Sequence, residues 1–198
     1  MEEIQKQIRI QFGEMPLMNP DYGRIINRKH FSRLLGLLNC GRIVTGGDID
    51  DDGCRIAPTV LDGIGWEDPV MEQEIFGPLL PVLPYDRLDE VLERLDRSPK
   101  PLALYLFSKN REHIRRVMGQ ARFGGGCVND VVIHLAISGM GFGGVGESGM
   151  GAYHGEAGFN AFSHEKSIVD KKCWLDLPMR YQPYGNALYE RLLRFFFR

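Results

Sequence analysis

The chain has 198 residues, of which 43% are hydrophobic, and a formal net charge of −2 with acidic and basic residues interspersed. These values predict a globular fold and exclude the basic surface typical of nucleic-acid-binding proteins, so we expect no nucleic-acid partner. The four cysteines have no C-x-x-C spacing, which predicts neither a metal site nor a disulfide framework. Since there is no secretory signal pattern and no apolar run of about 20 residues, we expect a cytoplasmic protein.

The first third of the chain predicts two helices followed by a strand. Ile4, Ile8 and Phe12 share one face of a helix over residues 4–12. A second helical stretch is expected to open at Asp21 and to end near Gly41, with an apolar face that starts at Phe31. "RIVTGG" then reads as a short strand and "DIDDDG" as an exposed acidic turn.

Strands and helices alternate in the middle of the chain. "CRIAPTVL" and residues 79–83 predict strands, the second at a sheet edge if its prolines lie inside it. "DRLDEVLERLDR" predicts a helix with Asp86 as its N-cap, and a strand "LALYLFS", a helix "NREHIRRVMGQA" and a strand "GGCVNDVVIHLAI" follow. This order indicates an α/β fold with at least partly parallel strand pairing.

The chain changes character at about Ser163. "HEKSIVDKKCW" is polar and predicts an extended segment, and "YERLLRFFFR" predicts a short cationic amphipathic helix. Such a helix can lie on a membrane surface, but its shortness favours docking onto the protein itself or onto a further domain. Membrane binding is therefore not expected.

Several motifs occur in one order with consistent spacing: "MEQEIFGPLLPV", "KPLALYLFS", "GGGCVNDVVIH", "FGGVGESGMGAYHGEAGFNAFSHEKSI" and "LPMRYQPY". Together they resemble the carboxy-terminal part of the aldehyde dehydrogenase superfamily, most closely its class 3 branch. The resemblance implies that residues 1–162 are part of an α/β catalytic domain with a parallel-type sheet and flanking helices. It further implies that residues 163–198 hold an oligomerisation strand and a tail, as in a homo- or hetero-dimer.

The resemblance also implies a reaction: NAD(P)-dependent oxidation of an aldehyde to a carboxylic acid through a cysteine nucleophile. In E-x-F-G-P, Glu74 matches the residue that binds the nicotinamide ribose, although a solvated loop carboxylate is the alternative from composition alone. Phe76 matches the residue beside the nicotinamide. Phe142 and Asn129 match residues of the substrate pocket.

The chain departs from the family pattern in what it lacks. The G-S-T-x-x-G phosphate loop, the E-L-G-G-K glutamate and the G-Q-x-C nucleophile do not occur in it. We therefore expect no catalytic residue here, no tight binding of NAD or NADP, and no activity of this chain alone. The alternative function is a non-catalytic module that pairs with a full-length aldehyde dehydrogenase by strand addition. Gly141 replaces the proline of the usual P-F-G-G, which should loosen the loop that enters Phe142.

Three further features of the sequence have a simpler interpretation than a functional one. "GVGESG" has the spacing of a dinucleotide-binding loop, but no strand leads directly into it and glycines follow it, so we interpret it as a coincidence. Cys127 follows a glycine run and is a tempting nucleophile, yet at the start of a strand it is more simply a small hydrophobic residue. His134, His154 and His164 lack metal-ligand spacing and receive no chemical role.

Overall fold

A computed structural model describes residues 1–174, 176–177, 180–182 and 185–197. Its contacts divide the chain into two compact units. The first unit comprises residues 1–98 and 115–121, and the second comprises residues 99–114 together with the described residues from 122 onwards.

The described residues form short helices and strands in an α/β arrangement, as the sequence predicts. The helices are α1 (Glu2–Phe12), α2 (Arg28–Leu37), α3 (Leu88–Arg97), α4 (Arg111–Gln120), α5 (Gly155–Ala161) and α6 (Ala187–Phe196). The strands are β1 (Arg42–Thr45), β2 (Ile49–Asp50), β3 (Arg55–Ile56), β4 (Thr59–Asp62), β5 (Leu79–Pro81), β6 (Ala103–Leu106) and β7 (Gly125–Val128).

The first unit contains a mixed three-stranded sheet in the order β1-β4-β5. β1 is antiparallel to β4, and β4 is parallel to β5 with Thr59 opposite Leu79. β5 holds Pro81 and lies at the edge of this sheet, as expected for a strand that cannot donate every ladder hydrogen bond. β2 and β3 form a separate antiparallel pair, so the predicted acidic turn contributes one short strand.

Helix α2 covers this sheet with the apolar face that the sequence predicts. Phe31 and Leu34 are almost fully buried and pack with Ile56 and Leu79. A second cluster of Leu61, Ile64 and Val70 lies next along the chain. At about 25 cal/mol per Å² of apolar surface removed from water, side chains of this size each contribute roughly 2 kcal/mol. The core of the first unit is therefore built around α2, β4 and β5.

The second unit contains one parallel pair, β6 with β7, in which Tyr105 lies opposite Cys127. The side chains of β6 are only half-buried, although the apolar run in "LALYLFS" predicts a buried strand. With the β4–β5 pair, this gives two parallel pairings and confirms the prediction of partly parallel sheets.

Among the boundaries that differ from the predictions, three depend on caps and local backbone geometry. Helix α2 begins at Arg28, not near Asp21, because the Asn27 side chain accepts a hydrogen bond from the His30 backbone N–H at 2.9 Å. Asp86 is not the cap of α3, whose N-cap residue is Arg87 without a side-chain cap bond. β7 ends at Val128 because Asn129 has a φ of 58°, which no strand residue adopts.

Residues 163–172 contain no helix or strand and are exposed, in agreement with the polar extended segment that was predicted. Within the described part of this segment no strand pairing occurs, so an oligomerisation strand stays a prediction. The terminal helix is confirmed as α6, whose N-cap Asn186 accepts from the Leu188 N–H. Leu188 on it is more than half exposed. Docking of α6 onto the protein itself or onto a further domain stays a prediction. None of the described helices has the length and apolar character needed to cross a membrane.

Candidate active site

The Glu74–Phe76 segment is a surface loop that is anchored through its middle residue. Ile75 packs against both hydrophobic clusters of the first unit, and its backbone carbonyl accepts a hydrogen bond from Arg33 Nη2 of α2 at 2.5 Å. With Ile75 held inward, Glu74 and Phe76 lie exposed on either side of it. The two predicted cofactor-binding residues are thus presented together to solvent.

Phe76 carries the strongest conformational signal in this loop. Its side chain is 74% exposed and its φ is 47°, in the left-handed region that bulky residues avoid. Neither burial nor an easy backbone conformation explains a phenylalanine at this position, and strain of this kind gathers at functional sites. A flat apolar surface turned outward is what a planar aromatic ligand ring would contact.

Gly77 explains the glycine of the E-x-F-G-P motif by contact. A β-carbon at this position would lie 2.5 Å from Cδ1 of Leu34, which is completely buried. The next residue, Pro78, then accepts a hydrogen bond from the Thr59 N–H at 2.8 Å and leads into β5. Glycine at position 77 therefore allows the Glu74–Phe76 loop to pack directly on helix α2.

Asn129 immediately follows β7, and its side chain binds the backbone rather than facing a pocket with free polar atoms. Its Oδ1 accepts from the Ser108 N–H at 2.8 Å, and its Nδ2 donates to the Ser108 carbonyl at 3.0 Å. Its own N–H donates to the Leu106 carbonyl at 2.8 Å. The amide group thereby continues the β6–β7 pairing beyond the last strand residue.

Phe142 lies on a glycine-rich loop and is fixed by a two-bond bridge to Tyr153. The Phe142 N–H donates to the Tyr153 carbonyl at 2.8 Å, and the Tyr153 N–H donates back at 2.9 Å. Its ring contacts the ring of Tyr153 edge-on at 5.7 Å between centroids and stacks on His154 at 6.2 Å. Phe142 therefore belongs to an aromatic cluster within the second unit.

The glycines that follow Phe142 are required by close backbone contacts. A β-carbon at Gly143 would lie 2.0 Å from the Gly151 carbonyl oxygen, and one at Gly144 would lie 2.1 Å from the Ser148 carbonyl oxygen. Residues Gly146–Ser148 form a single 3-10 turn, and helix α5 starts only at Gly155. The G-x-G-x-x-G spacing therefore belongs to a folded-back loop and not to a strand–loop–helix phosphate site.

Gly141 lies close to two alanines, and the loosening of the loop that enters Phe142 stays a prediction. A β-carbon there would lie 2.9 Å from Ala157 Cβ and 3.1 Å from Ala152 Cβ. The small side chains of these two alanines occupy the volume that a larger residue at position 141 would need. The approach to Phe142 is thus tightly packed without a proline.

His134, to which the sequence assigned no chemical role, lies beside Cys127 and Phe142. Its side chain is buried, its Nδ1 lies 3.5 Å from Cys127 Sγ, and its ring is 5.9 Å from that of Phe142. Cys127 itself is partly buried on β7. The sequence neighbours Val131, Val132 and Ile133 are exposed, so the apolar run in "VVIHLAI" did not by itself indicate that His134 is buried.

The largest pKa shift in the first unit falls on Tyr22, beside a cleft of about 320 Å³ between α1 and β5. Burial raises the pKa of Tyr22 to about 12, and its hydroxyl donates to the Ile56 carbonyl at 2.6 Å. In the β2–β3 turn, the Gly53 N–H and Arg55 lower the pKa of Asp50. No cluster of three His, Cys, Asp or Glu side chains suited to a metal occurs in the described residues.

Comparison with known proteins shows the family of the chain. Residues 1–168 match the model of the aldehyde dehydrogenase family. The chain is 43% identical over 197 residues to a 4,4'-diaponeurosporen-aldehyde dehydrogenase of Staphylococcus aureus, and 45% identical over 185 residues to aldehyde dehydrogenase family 3 member B1 of Rattus norvegicus. The two matches include 98% and 92% of this chain, but only 42% and 40% of the length of the two relatives.

Solved structures also match most or all of this chain over less than half of their own length. A structure described as the substrate-bound state of Staphylococcus aureus AldH matches all of this chain with a TM-score of 0.88 and 43% identity, over 43% of its own length. An NAD+ complex of an aldehyde dehydrogenase from Bacillus cereus matches 76% of the chain and 31% of its own length, with a TM-score of 0.68 and 27% identity. The α/β units described above are thus part of a larger fold in these relatives.

Proposed function

The chain belongs to the aldehyde dehydrogenase family, and from this we propose that it forms part of an enzyme that oxidises an aldehyde to a carboxylic acid with NAD or NADP. The single observation that carries the proposal is the match of 98% of the chain to a relative named as an aldehyde dehydrogenase. The class 3 resemblance is in line with the named family 3 members among the relatives.

We assign cofactor contacts to Glu74 and Phe76. Both side chains are exposed next to each other on a loop that Ile75 anchors, so they can reach a bound ligand without moving the core. A carboxylate accepts hydrogen bonds from ribose hydroxyls, and an exposed aromatic ring packs on a nicotinamide ring. When bound, the nicotinamide cofactor supplies the acceptor for the hydride that leaves the aldehyde carbon.

Phe142 is assigned to the wall of the substrate pocket, and Asn129 to its support. Phe142 is held by the Tyr153 bridge and by ring contacts, so its position is fixed before any substrate binds. The Asn129 amide is engaged with Ser108 on both sides, so we propose that it shapes the loop after β7 rather than binding the aldehyde directly.

We further propose that the 198-residue chain alone does not oxidise aldehydes, because the G-Q-x-C nucleophile and the phosphate loop of the family are absent from its sequence. The test is NADH or NADPH formation by the purified chain with aliphatic and aromatic aldehydes. No formation above a sample without protein is expected. Turnover by the purified chain would contradict this proposal.

The cofactor contacts are tested in a chimera. The part of the staphylococcal relative that this chain does not cover is joined to the chain, and aldehyde-dependent NADH formation is measured after circular dichroism has confirmed folding. Activity is expected, and Glu74→Gln and Phe76→Ala should each raise KM for the cofactor by about tenfold or more, the loss of one charge-assisted bond or one ring contact. Glu72→Gln, an exposed carboxylate in the same stretch, is the matched control and should leave KM unchanged. A folded but inactive chimera, or equal effects at positions 72 and 74, would contradict the assignment.

A second candidate function rests on residues 163–172. Ile168 and Val169 are 74% and 89% exposed in an extended segment, and no backbone hydrogen bond of residues 164–172 was found in the described region. An extended segment with exposed apolar side chains and free backbone groups can add as a strand to the sheet of another chain. We propose that this segment pairs with a sheet edge of a full-length family member or of a second copy.

This pairing is tested by co-purification of the tagged chain with the full-length staphylococcal relative, and by sedimentation of the chain alone. A stable complex or a dimer is expected. Ile168→Lys with Val169→Glu should abolish it, since charged side chains block edge pairing. Glu165→Gln in the same exposed segment serves as the control and should retain binding. Monomers in both experiments would contradict the second candidate function.

A further inference from the structure

Cys127 and His134 form a paired thiol and imidazole within the second unit. Cys127 lies on β7, and His134 lies in the short 3-10 turn Ile133–Leu135 that follows. The Nδ1 atom of His134 is 3.5 Å from Cys127 Sγ, within reach of a hydrogen bond to sulfur. The family chemistry proposed above uses neither residue.

The imidazole ring lies against one face of β7. Gly125 and Cys127 are two residues apart and so face the same side of the strand. A β-carbon on Gly125 would lie 3.0 Å from Cδ2 and 3.2 Å from Nε2 of His134, so the ring occupies the space that this glycine leaves open. Tyr105, which pairs with Cys127 across the two strands, contacts the ring edge-on at 5.8 Å.

The other ring nitrogen gives an independent indication of function. His134 is 7% exposed, and its Nε2 is buried without a hydrogen-bond partner among the residues that the structure describes. A buried polar atom without a partner is a cost that a phenylalanine in the same aromatic surroundings would not carry. The ring is therefore better explained by what Nδ1 does at Cys127 than by packing alone.

We propose that Cys127 is a thiol modification site that reacts with small disulfides, with His134 as its base. The Sγ proton passes to Nδ1 of His134, and the resulting thiolate attacks one sulfur atom of the disulfide. The sulfur–sulfur bond of the small molecule breaks, a new bond forms to Sγ, and the departing thiolate takes up the proton. Cys127 is oxidised to a mixed disulfide, and the leaving half of the small disulfide is reduced to a thiol.

Partial exposure of Cys127 makes this reaction feasible. The residue is neither fully buried nor at the surface, and Gly124–Gly126 immediately before it carry no side chains that could cover it. Cys173 is more exposed, and no histidine contact to its sulfur was found in the described residues. Comparing the two cysteines therefore separates the effect of the imidazole on the rate of thiol reaction from the effect of solvent exposure.

The experiment uses the full 198-residue chain with single cysteines. One variant keeps only Cys127 and the other keeps only Cys173, with the remaining cysteines changed to alanine. Each reacts at neutral pH with an aromatic disulfide that releases a coloured thiolate, and with glutathione disulfide followed by mass spectrometry. Cys127 should react at least about tenfold faster than Cys173 despite its lower exposure, the range that a positioned base supplies.

His134→Gln should lower the reaction rate of Cys127 by about tenfold or more, whereas the same substitution should leave the reaction rate of Cys173 unchanged. Folding of the variants is compared by circular dichroism. If His134→Gln does not fold, Gly125→Ala replaces it, since the added methyl group displaces the ring from Sγ and should also slow the reaction. A rate at Cys127 equal to or below that at Cys173, or one that does not respond to either substitution, would overturn the proposal and leave Cys127 as a packing residue.

Discussion

Phe76 shows at the scale of one residue what a sequence pattern contains and what it omits. The E-x-F-G-P motif predicts which residues are of interest, namely Glu74 and Phe76, and the structure presents both at the surface. The pattern does not contain the backbone angle of Phe76, because φ depends on Ile75 being held by α2 and on Gly77 lying against Leu34. The pairing of His134 with Cys127 was not predicted for a similar reason, since the turn after β7 brings the two side chains together.

The strained backbone at Phe76 makes a prediction for stability. Phe76→Gly should raise the free energy of unfolding by about 0.5–1 kcal/mol, because glycine adopts φ near 47° without strain and little apolar burial is lost. Urea unfolding followed by circular dichroism measures the change. Phe107→Gly is the control, since Phe107 is 66% exposed but does not have a positive φ, and it should be destabilised. Equal destabilisation of both variants would contradict strain at position 76.

Tyr22 makes a prediction for alkaline pH. Burial raises its pKa to about 12 from an ordinary value of 10.0, so the folded state favours the neutral phenol. Its contribution to stability is complete below pH 10.0 and is lost as the pH rises towards about 12, where the unfolded chain has already released the proton. In Tyr22→Phe the urea midpoint should fall less steeply as the pH rises over this range. At neutral pH the variant should be about 1 kcal/mol less stable, because it lacks the hydrogen bond to the Ile56 carbonyl. If the urea midpoint of Tyr22→Phe falls with alkaline pH as steeply as that of the unmodified chain, the assignment of this pH dependence to Tyr22 is wrong.

At the scale of helices and strands, periodicity predicted the elements well and their ends poorly. In α2 the buried residues Phe31 and Leu34 lie on the apolar face that the spacing predicts, whereas α1 has no fully buried residue. The ends depend on single hydrogen bonds and on φ, such as the cap at Asn27 and the turn at Asn129. An apolar run such as "VVIHLAI" cannot be distinguished from a strand by hydrophobicity alone, although here it forms a turn.

The two cap positions give a matched prediction. Asn27→Ala should lower the free energy of unfolding by about 1 kcal/mol, because the His30 N–H at the start of α2 loses its partner. Asp86→Ala should change it by less than about 0.5 kcal/mol, because Asp86 does not cap α3. Both are measured by chemical unfolding of the full chain. A larger loss at Asp86 than at Asn27 would show that the capping assignment is wrong.

The loop after Phe142 gives a prediction of the same kind. Gly143→Ala should destabilise the chain by about 2 kcal/mol or more, because its β-carbon would overlap the Gly151 carbonyl oxygen and the loop must move. Gly139→Ala has open space at its β-carbon and is the control, with little expected change. Thermal unfolding compares the two variants. Equal melting temperatures would mean that the loop is free to rearrange.

At the scale of the whole molecule, the alternation of predicted strands and helices indicated an α/β fold, and the described residues form one. The motifs indicated a resemblance to the aldehyde dehydrogenase family, and the family model matches residues 1–168. The chain covers about two fifths of the relatives that it matches. How much apolar surface remains uncovered could not be predicted, because it depends on which face of each element finds a partner. Phe162 and Met150 are 94% and 99% exposed. Such surface is typical of a region that contacts another protein segment.

This exposure predicts the behaviour of the chain in solution. Phe162→Ser combined with Met150→Gln should reduce self-association in sedimentation velocity while changing the free energy of unfolding by less than about 0.5 kcal/mol, since exposed side chains make few contacts. Phe31→Ser, at a buried core position, is the contrasting control and should prevent folding. If the double variant self-associates as strongly as the unmodified chain, surfaces other than Phe162 and Met150 are responsible for self-association.

The contact among Gly141, Ala152 and Ala157 has a consequence for how this region can change in evolution. Three positions share one small volume, so the amount of side chain at one limits what the other two can accommodate. A proline or any larger residue at position 141 requires a compensating shift of the segments that carry the two alanines. We therefore expect these three positions to vary together among related sequences and to be inherited as a set. Exchanging only one of them between relatives should be poorly tolerated, and exchanging all three together should restore the fold.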